Sequence, residues 1–198
     1  MSVVWDETKA LDTPDPVTVE VYKCSQLAKT CGQCGTMDID YQCYWCEQQC
    51  AMQDQCTGVK IPRNGTCPAP QLTKISPMSG PVWGGTSVTM EGANLGKQAS
   101  DIHATIGGEA CELVQSEYVP ATSFVCLTAP VKKGQIGTVE VTVAGKYNAT
   151  SNQQFSYLQP TVSRIDPAKG PVSGGTIVVL KGRNLDIGSD IQVLVERA

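Results

Sequence analysis

No run of eighteen apolar residues occurs in these 198 residues, so the sequence offers no stretch that could cross a bilayer as a helix. Positive charge is scarce. Fifteen Lys and Arg stand against 19 Asp and Glu, for a net charge of −4 and a pI near 5.0. That excludes the basic footprint by which proteins hold nucleic acid, and no nucleic-acid partner is expected. Aromatic residues make up 6%, too few for a base-stacking platform. Histidine occurs once, as His103. A Ser-His-Asp or Cys-His arrangement would have to use it, and no motif sets a nucleophile beside it. We expect no catalytic residue, no cofactor, no metal and no small-molecule substrate, and so no enzyme. A signal-peptide pattern is missing at the start, and we expect the chain to be a piece of a longer protein.

Cysteine, by contrast, is abundant and clustered. Eight of ten cysteines fall between Cys24 and Cys67, spaced C-x6-C-x2-C-x8-C-x2-C-x3-C-x5-C-x10-C. A segment this short buries too little apolar surface to fold on its core alone, and needs cross-links or metal. Cys31-x2-Cys34 and Cys43-x2-Cys46 have the spacing of a four-thiolate zinc site. Cys24, Cys50, Cys56 and Cys67 would then be left at spacings that pair poorly. The even count suits a disulfide framework, as do two sequons, Asn64-Gly65-Thr66 and Asn148-Ala149-Thr150, which make sense only in a secreted protein. Disulfides are the expectation, with Asn64 and Asn148 as candidate glycan acceptors.

An internal repeat organises the rest. Residues 72–96 and 162–186 lie 90 positions apart and share 12 of 25 residues, a domain-length period. Each copy opens on Ile-x-Pro-x-x-Gly-Pro, an extended entry followed by a turn. Gly84-Gly85 and Gly174-Gly175 mark backbone angles that a Cβ would forbid. Asn94 and Asn184 suit left-handed turns. In the first copy, Val88 and Met90 alternate with polar neighbours. So do Ile102, Ala104 and Ile106; Phe124, Cys126 and Thr128; and Val139, Val141 and Val143. Short strands of period two without a 3.6-residue period predict a β-sandwich. Cys111 and Cys126 sit on neighbouring candidate strands, and a bond between them is expected. Val3, Val4, Trp5 and then Val17, Val19 and Val21 read as further strands around a turn at Asp12–Pro16.

Apparent chemistry elsewhere is weak. Gly80–Ser87 mimics a phosphate loop, but Thr86 stands where a lysine is required and a strand follows in place of a helix. Asp38 with Asp40 and Glu109 with Glu112 read as solvated turn carboxylates, and they lack calcium-loop spacing.

The cysteine-rich segment, centred on Cys43-Tyr44-Trp45-Cys46, resembles a PSI domain. The two Gly-Pro-x-x-Gly-Gly-Thr repeats with Gly-x-Asn-Leu resemble IPT domains. Their order resembles the ectodomain stalk of the plexin family, and Val3-Val4-Trp5 with Val21-Tyr22-Lys23-Cys24 resembles the plexin stretch entering a PSI domain. The resemblance implies a mostly β chain with four parts. Residues 1–22 would be the C-terminal strands of a preceding IPT domain, 23–67 a small disulfide-rich PSI module, 68–158 an immunoglobulin-like IPT/TIG sandwich, and 159–198 the start of a second one. It also implies the pairs Cys24–Cys43, Cys31–Cys67, Cys34–Cys46 and Cys50–Cys56, with Cys111–Cys126 in the sandwich. Trp45 would pack on a disulfide.

By the same resemblance, the chain would be an extracellular stalk segment of a single-pass plasma-membrane receptor. It would act as a spacer whose proline-bearing linkers, 67–70 and 158–160, restrict hinge motion. Partners would be neighbouring domains of the same receptor, semaphorin through a head domain elsewhere in that receptor, and a further copy of the receptor. Two alternatives stay open: an ectodomain segment of a scatter-factor-receptor-like tyrosine kinase, and an intracellular IPT-type DNA-binding protein with a zinc module.

Overall fold

A computed structural model describes residues 19–194, together with the backbone of Val4–Trp5 and Lys9–Ala10. Those last two segments, β1 and β2, form an antiparallel pair. Val3, Val17 and the turn expected at 12–16 lie outside the described residues. Val19 and Val21, expected as strand material, are exposed and belong to no strand.

The cysteine-rich module comprises α1 (Cys24–Leu27), α2 (Cys31–Thr36), β3 (Cys43–Cys46), β4 (Gln49–Met52) and β5 (Lys60–Ile61). Its strands form a sheet in the order β4-β3-β5. The two short helices sit within the mostly β chain expected, although neither was located from the sequence. For α2 the signal was present as Thr30-x-x-Gln33. Thr30 Oγ1 accepts a bond from the Gln33 N–H (3.2 Å), and Gln33 Oε1 accepts one from the Thr30 N–H (3.2 Å). This capping box satisfies two of the N–H groups that a helix start leaves open, and so allows a six-residue helix to exist.

The sandwich is built from β6 (Gln71–Ser76), β7 (Ser79–Pro81), β8 (Ser87–Leu95), β9 (Ile102–Ile106), β10 (Glu109–Val119), β11 (Ala121–Thr128), β12 (Gln135–Val143) and β13 (Tyr147–Leu158). They form one sheet in the order β6-β8-β11-β10-β9-β12-β13-β7, antiparallel except where β7 runs parallel to β13. The sheet curls until its ends face each other, and the Ile75 N–H donates across that gap to Gln153 Oε1 (3.0 Å). Between the faces lies the core, which includes Ile75, Val88, Met90, Ile106, Phe124, Val139, Phe155 and Tyr157. All the inward positions named from period-two alternation are buried, Thr128 among them. Thr128 lies inside because its Oγ1 accepts the Thr86 N–H (3.1 Å) at the mouth of the β7–β8 turn. In that turn Gly84 has φ +77°, and a Cβ there would lie 2.5 Å from the Thr128 carbonyl oxygen.

Tyr157 is 1% exposed, and among the described residues its hydroxyl has no hydrogen-bond partner. Burial, and secondarily the Glu109 carboxylate, push that hydroxyl above its ordinary pKa. Removing an orphaned buried hydroxyl removes its desolvation cost, so Tyr157→Phe is expected to stabilise the chain by about 1 kcal/mol. Because the folded pKa is raised, the fold disfavours the ionised phenolate, so stability holds below the ordinary tyrosine pKa and falls as pH rises beyond it. The variant should therefore also unfold less steeply in alkali. Thermal melts at neutral and alkaline pH check both points, and a lower melting temperature at neutral pH would contradict the first.

The second repeat forms β14 (Thr161–Asp166) and β15 (Val179–Arg183), paired antiparallel. Its register repeats the first copy at the same offset: Gln71 faces Ala93 and Thr161 faces Arg183. Both hairpins shift register at the same step, between Leu72 and Lys74 and between Val162 and Arg164. The step brings one strand's carbonyl over a glycine of the other. A Cβ on Gly92 would overlap the Gln71 oxygen, and one on Gly182 the Thr161 oxygen, which accounts for the glycine of the Gly-x-Asn-Leu motif. Asn94 and Asn184 are left-handed, at φ 56° and 55°. The copies differ in burial: Ile75 is 2% exposed and its counterpart Ile165 is 50% exposed. Among the described residues no helix is long and apolar enough to cross a membrane.

Candidate functional site at the module junction

Every cysteine is paired. The bonds are Cys24–Cys43, Cys31–Cys67, Cys34–Cys50, Cys46–Cys56 and Cys111–Cys126. Two of the implied pairs are therefore corrected: Cys34 bonds Cys50 and not Cys46, and Cys56 bonds Cys46 and not Cys50. The β3–β4 hairpin gives the reason. Its two-residue turn, Glu47-Gln48, sets Cys46 opposite Gln49 and Trp45 opposite Cys50. Residues directly opposite share a face, and successive residues alternate. Cys43, Trp45 and Cys50 thus lie on one face, where α2 packs and presents Cys34; all four are in one buried cluster. Cys46 projects from the other face, toward the loop that carries Cys56. Trp45 packs in the disulfide cluster, and among the described residues its indole N–H has no partner.

Cys111–Cys126 differs from the sheet-to-sheet bridge of many immunoglobulin-like domains. It joins the adjacent strands β10 and β11, where Cys126 faces Leu113 and Cys111 faces Thr128. The diagonal offset lets neighbouring strands carry a bond within one face of the sheet.

This stapled module does not hang free. The first turn of α2 seats on β8 and β11. The Gly32 N–H donates to Asn94 Oδ1 (3.1 Å), so the left-handed asparagine of the repeat motif also reaches the neighbouring module. Gly32 presents bare backbone to the side chain of Ala121, which is itself left-handed (φ 62°) and fully buried. A Cβ on Gly32 would overlap Ala121 Cβ and stand 3.4 Å from Asn94 Cα. Tyr118 steadies this corner: its hydroxyl donates to the Gly96 carbonyl (3.0 Å) and accepts the Ala121 N–H (3.4 Å).

A second clamp comes from Lys97. Its ammonium donates to the carbonyls of Arg63 and of Gly65 (3.0 Å). Burial lowers its pKa, and the nearby Asp101 carboxylate partly offsets this. Asp101 Oδ2 also accepts the backbone N–H groups of Lys97 (3.3 Å) and Gln98 (3.2 Å). Tyr147 lies beside Lys146 and the Thr66 hydroxyl, and both lower its pKa. Between loop and sandwich lies a groove of about 220 Å³.

The second repeat also touches the first sandwich, by its 186–190 loop. The Gly188 N–H donates to the Ser79 carbonyl (3.2 Å), and Ser189 Oγ accepts the Ser87 N–H (2.9 Å). Both linkers are thus flanked by specific contacts. None of the junction residues Gly32, Lys97, Ala121 or Tyr147 was anticipated. The local cue for Gly32 was the capping box beside it, but a capping box says nothing about what a helix start touches.

Other singled-out residues lie apart from this junction. His103 is exposed on β9. Asp38 caps a short 3-10 turn by accepting the Asp40 N–H (3.0 Å). Glu109 and Glu112 are exposed on β10. Thr86, at the end of the phosphate-loop mimic, is buried and leads directly into β8, so no helix start faces that loop. Asn64 and Asn148 are both exposed, Asn64 in the 62–68 loop and Asn148 on β13.

Over residues 70–157 and 160–197, more than half of the chain, the sequence matches the family described as IPT/TIG domain. The chain is 35% identical over 212 residues to Plexin A3 of Danio rerio, covering 98% of this chain and 11% of that protein. Against Plexin-A4 of Homo sapiens it is 35% identical over 208 residues, with the same two coverages. It spans about a tenth of the length of these relatives. Its structure superposes on that of the full extracellular region of Plexin A4 with a TM-score of 0.82 at 35% identity, over 96% of this chain and 20% of that one. The chain belongs to the IPT/TIG domain family, and along nearly its whole length, its own disulfide-rich module included, it is similar to plexins and to the extracellular region of Plexin A4.

Proposed function

We propose that this chain is a stalk segment of a plexin-like cell-surface semaphorin receptor, and that its task is mechanical. The cysteine-rich module acts as a PSI wedge between immunoglobulin-like domains. It holds a ligand-binding head, carried elsewhere in the receptor, at a set position relative to the membrane. The single observation that carries this reading is the seating of α2 on β8 and β11 by Gly32, Asn94 and Ala121. A freely jointed linker needs no such contact. Five disulfides, proline at 68 and 70, and the Lys97 clamp favour the same rigid role. In this role the direct partners are neighbouring domains of the same receptor, semaphorin acts through the head, and a second receptor copy is a further candidate partner. No step of this role calls for catalysis.

The test is to insert a flexible Gly-Ser linker after Ala69 in a receptor carrying this segment. Semaphorin affinity of the secreted ectodomain should stay unchanged while ligand-induced signalling in cells falls. Lost affinity would make the segment part of the ligand site, and unimpaired signalling would remove the spacer role.

A further inference from the structure

The groove at the module junction contains its own candidate occupant. Its lining includes Asn64, Thr66, Pro68, Lys97, Asp101 and Tyr147. Asn64 and Thr66 are the acceptor and hydroxyl positions of a sequon. Tyr147 offers a partly buried aromatic ring beside the Thr66 hydroxyl, and Lys97 and Asp101 supply a cation and a carboxylate. An aromatic face with a few converging polar groups is the usual lining of a small polar-ligand pocket, and sugars have matching apolar faces and hydroxyl rims. At about 220 Å³ the groove has room for a single sugar ring. Asn148 is the contrasting case. It lies on β13 opposite Thr142, exposed and outside the groove lining.

We propose that Asn64 is N-glycosylated and that the first N-acetylglucosamine folds back into this groove. There it bridges the cysteine-rich module and the sandwich, while the glycan on Asn148 stands free in solvent. This rests on the extracellular reading above. In the attachment step Asn64 Nδ2 bonds the anomeric carbon of a lipid-diphosphate-linked oligosaccharide. The bond from that carbon to the diphosphate oxygen breaks, its electron pair leaves with the diphosphate, and the amide gives up one proton. Once attached, the sugar ring meets Tyr147 on one side and the 62–68 loop on the other. It would then act as a splint across the boundary that the Gly32 and Lys97 contacts also hold.

The experiment uses the 198-residue chain secreted from a glycosylating eukaryotic host. Glycopeptide mass spectrometry reads occupancy, and peptide N-glycosidase digestion of the folded protein reads access at each site. We expect Asn64 to be occupied and its glycan to be released about tenfold more slowly than that on Asn148, the effect of about 1.4 kcal/mol of groove contact. Denaturation should equalise the two rates. Tyr147→Ala should speed release at Asn64 alone, and Tyr147→Leu, which keeps apolar packing but lacks the aromatic face, should act in the same direction. An unoccupied Asn64 beside an occupied Asn148 overturns the modification. Equal rates on the folded chain, or a slow Asn64 unmoved by both Tyr147 variants, overturn the docking. A chain that is not secreted, with free thiols and neither sequon modified, defeats the extracellular reading itself and this inference with it.

Discussion

Replacing Cys34 and Cys50 together with serine is expected to prevent secretion of a folded chain, whereas replacing Cys46 and Cys56 together should leave a secreted protein that melts at a lower temperature. The two bonds close loops of 16 and 10 residues. In the chain-entropy view these are worth about 3.1 and 2.7 kcal/mol, too close to separate the variants. Burial separates them. Cys34 and Cys50 are 0% and 1% exposed and lie among Cys31, Cys43 and Trp45 in the only core this module has. Two serine hydroxyls there would replace a bond by unsatisfied polar groups, adding to the lost cross-link. Cys46 and Cys56 sit outside that cluster and tie down only the loop after β4. Secreted yield, thermal melting and non-reducing peptide mapping check this. Equal damage from both pairs, or a mapped Cys34–Cys46 peptide, would count against the bonding described here.

At the junction, the sign of a single substitution is informative. Gly32 lies in the first turn of α2, where helix propensity alone predicts that alanine stabilises by up to about 1 kcal/mol. Contact with Ala121 predicts the reverse. The added methyl must overlap Ala121 Cβ, on a left-handed residue that is fully buried and cannot rotate away. We expect Gly32→Ala to cost about 1–3 kcal/mol, the usual range for overpacking. Ala121→Gly removes the opposing methyl and suits φ 62°, so the double variant should recover at least half of that loss. Chemical denaturation of the four proteins in the cycle gives the coupling. A stabilised Gly32→Ala, or additive effects, would mean that the two modules do not touch as described. Small-angle scattering on Gly32→Leu, which would drive the modules apart, tests the mechanical consequence; an unchanged profile would contradict it.

The strand faces were legible because period-two alternation is a local property. Whether Val88, Ile102 or Val139 points inward depends only on its neighbours and on one side of the sheet being dry. The same holds for Gly84 and for Asn94, whose backbone angles follow from the absence of a Cβ or from a short side chain that tolerates a left-handed turn. The cysteine pairs of the hairpin were partly legible. The two-residue turn at Glu47-Gln48 places Cys46 and Cys50 on opposite faces, whereas the pairing implied by the family resemblance was carried over without reference to strand faces. What could not be read was which loop or helix waits on each face.

The sequence by itself therefore determined what local rules govern: a repeat of ninety residues, the inward positions of the sandwich, the even set of cysteines, and the sequons. Tertiary structure alone decided the partners across distance. It set Cys34 against Cys50, Gly32 against Asn94 and Ala121, Lys97 against the 63–65 carbonyls, and Asn64 at a groove it shares with Tyr147. Gly32 and Asn94 are 62 positions apart, and no periodicity or turn rule extends that far. Their meeting depends on how two separately folded surfaces fit, and shape complementarity emerges only once both surfaces exist.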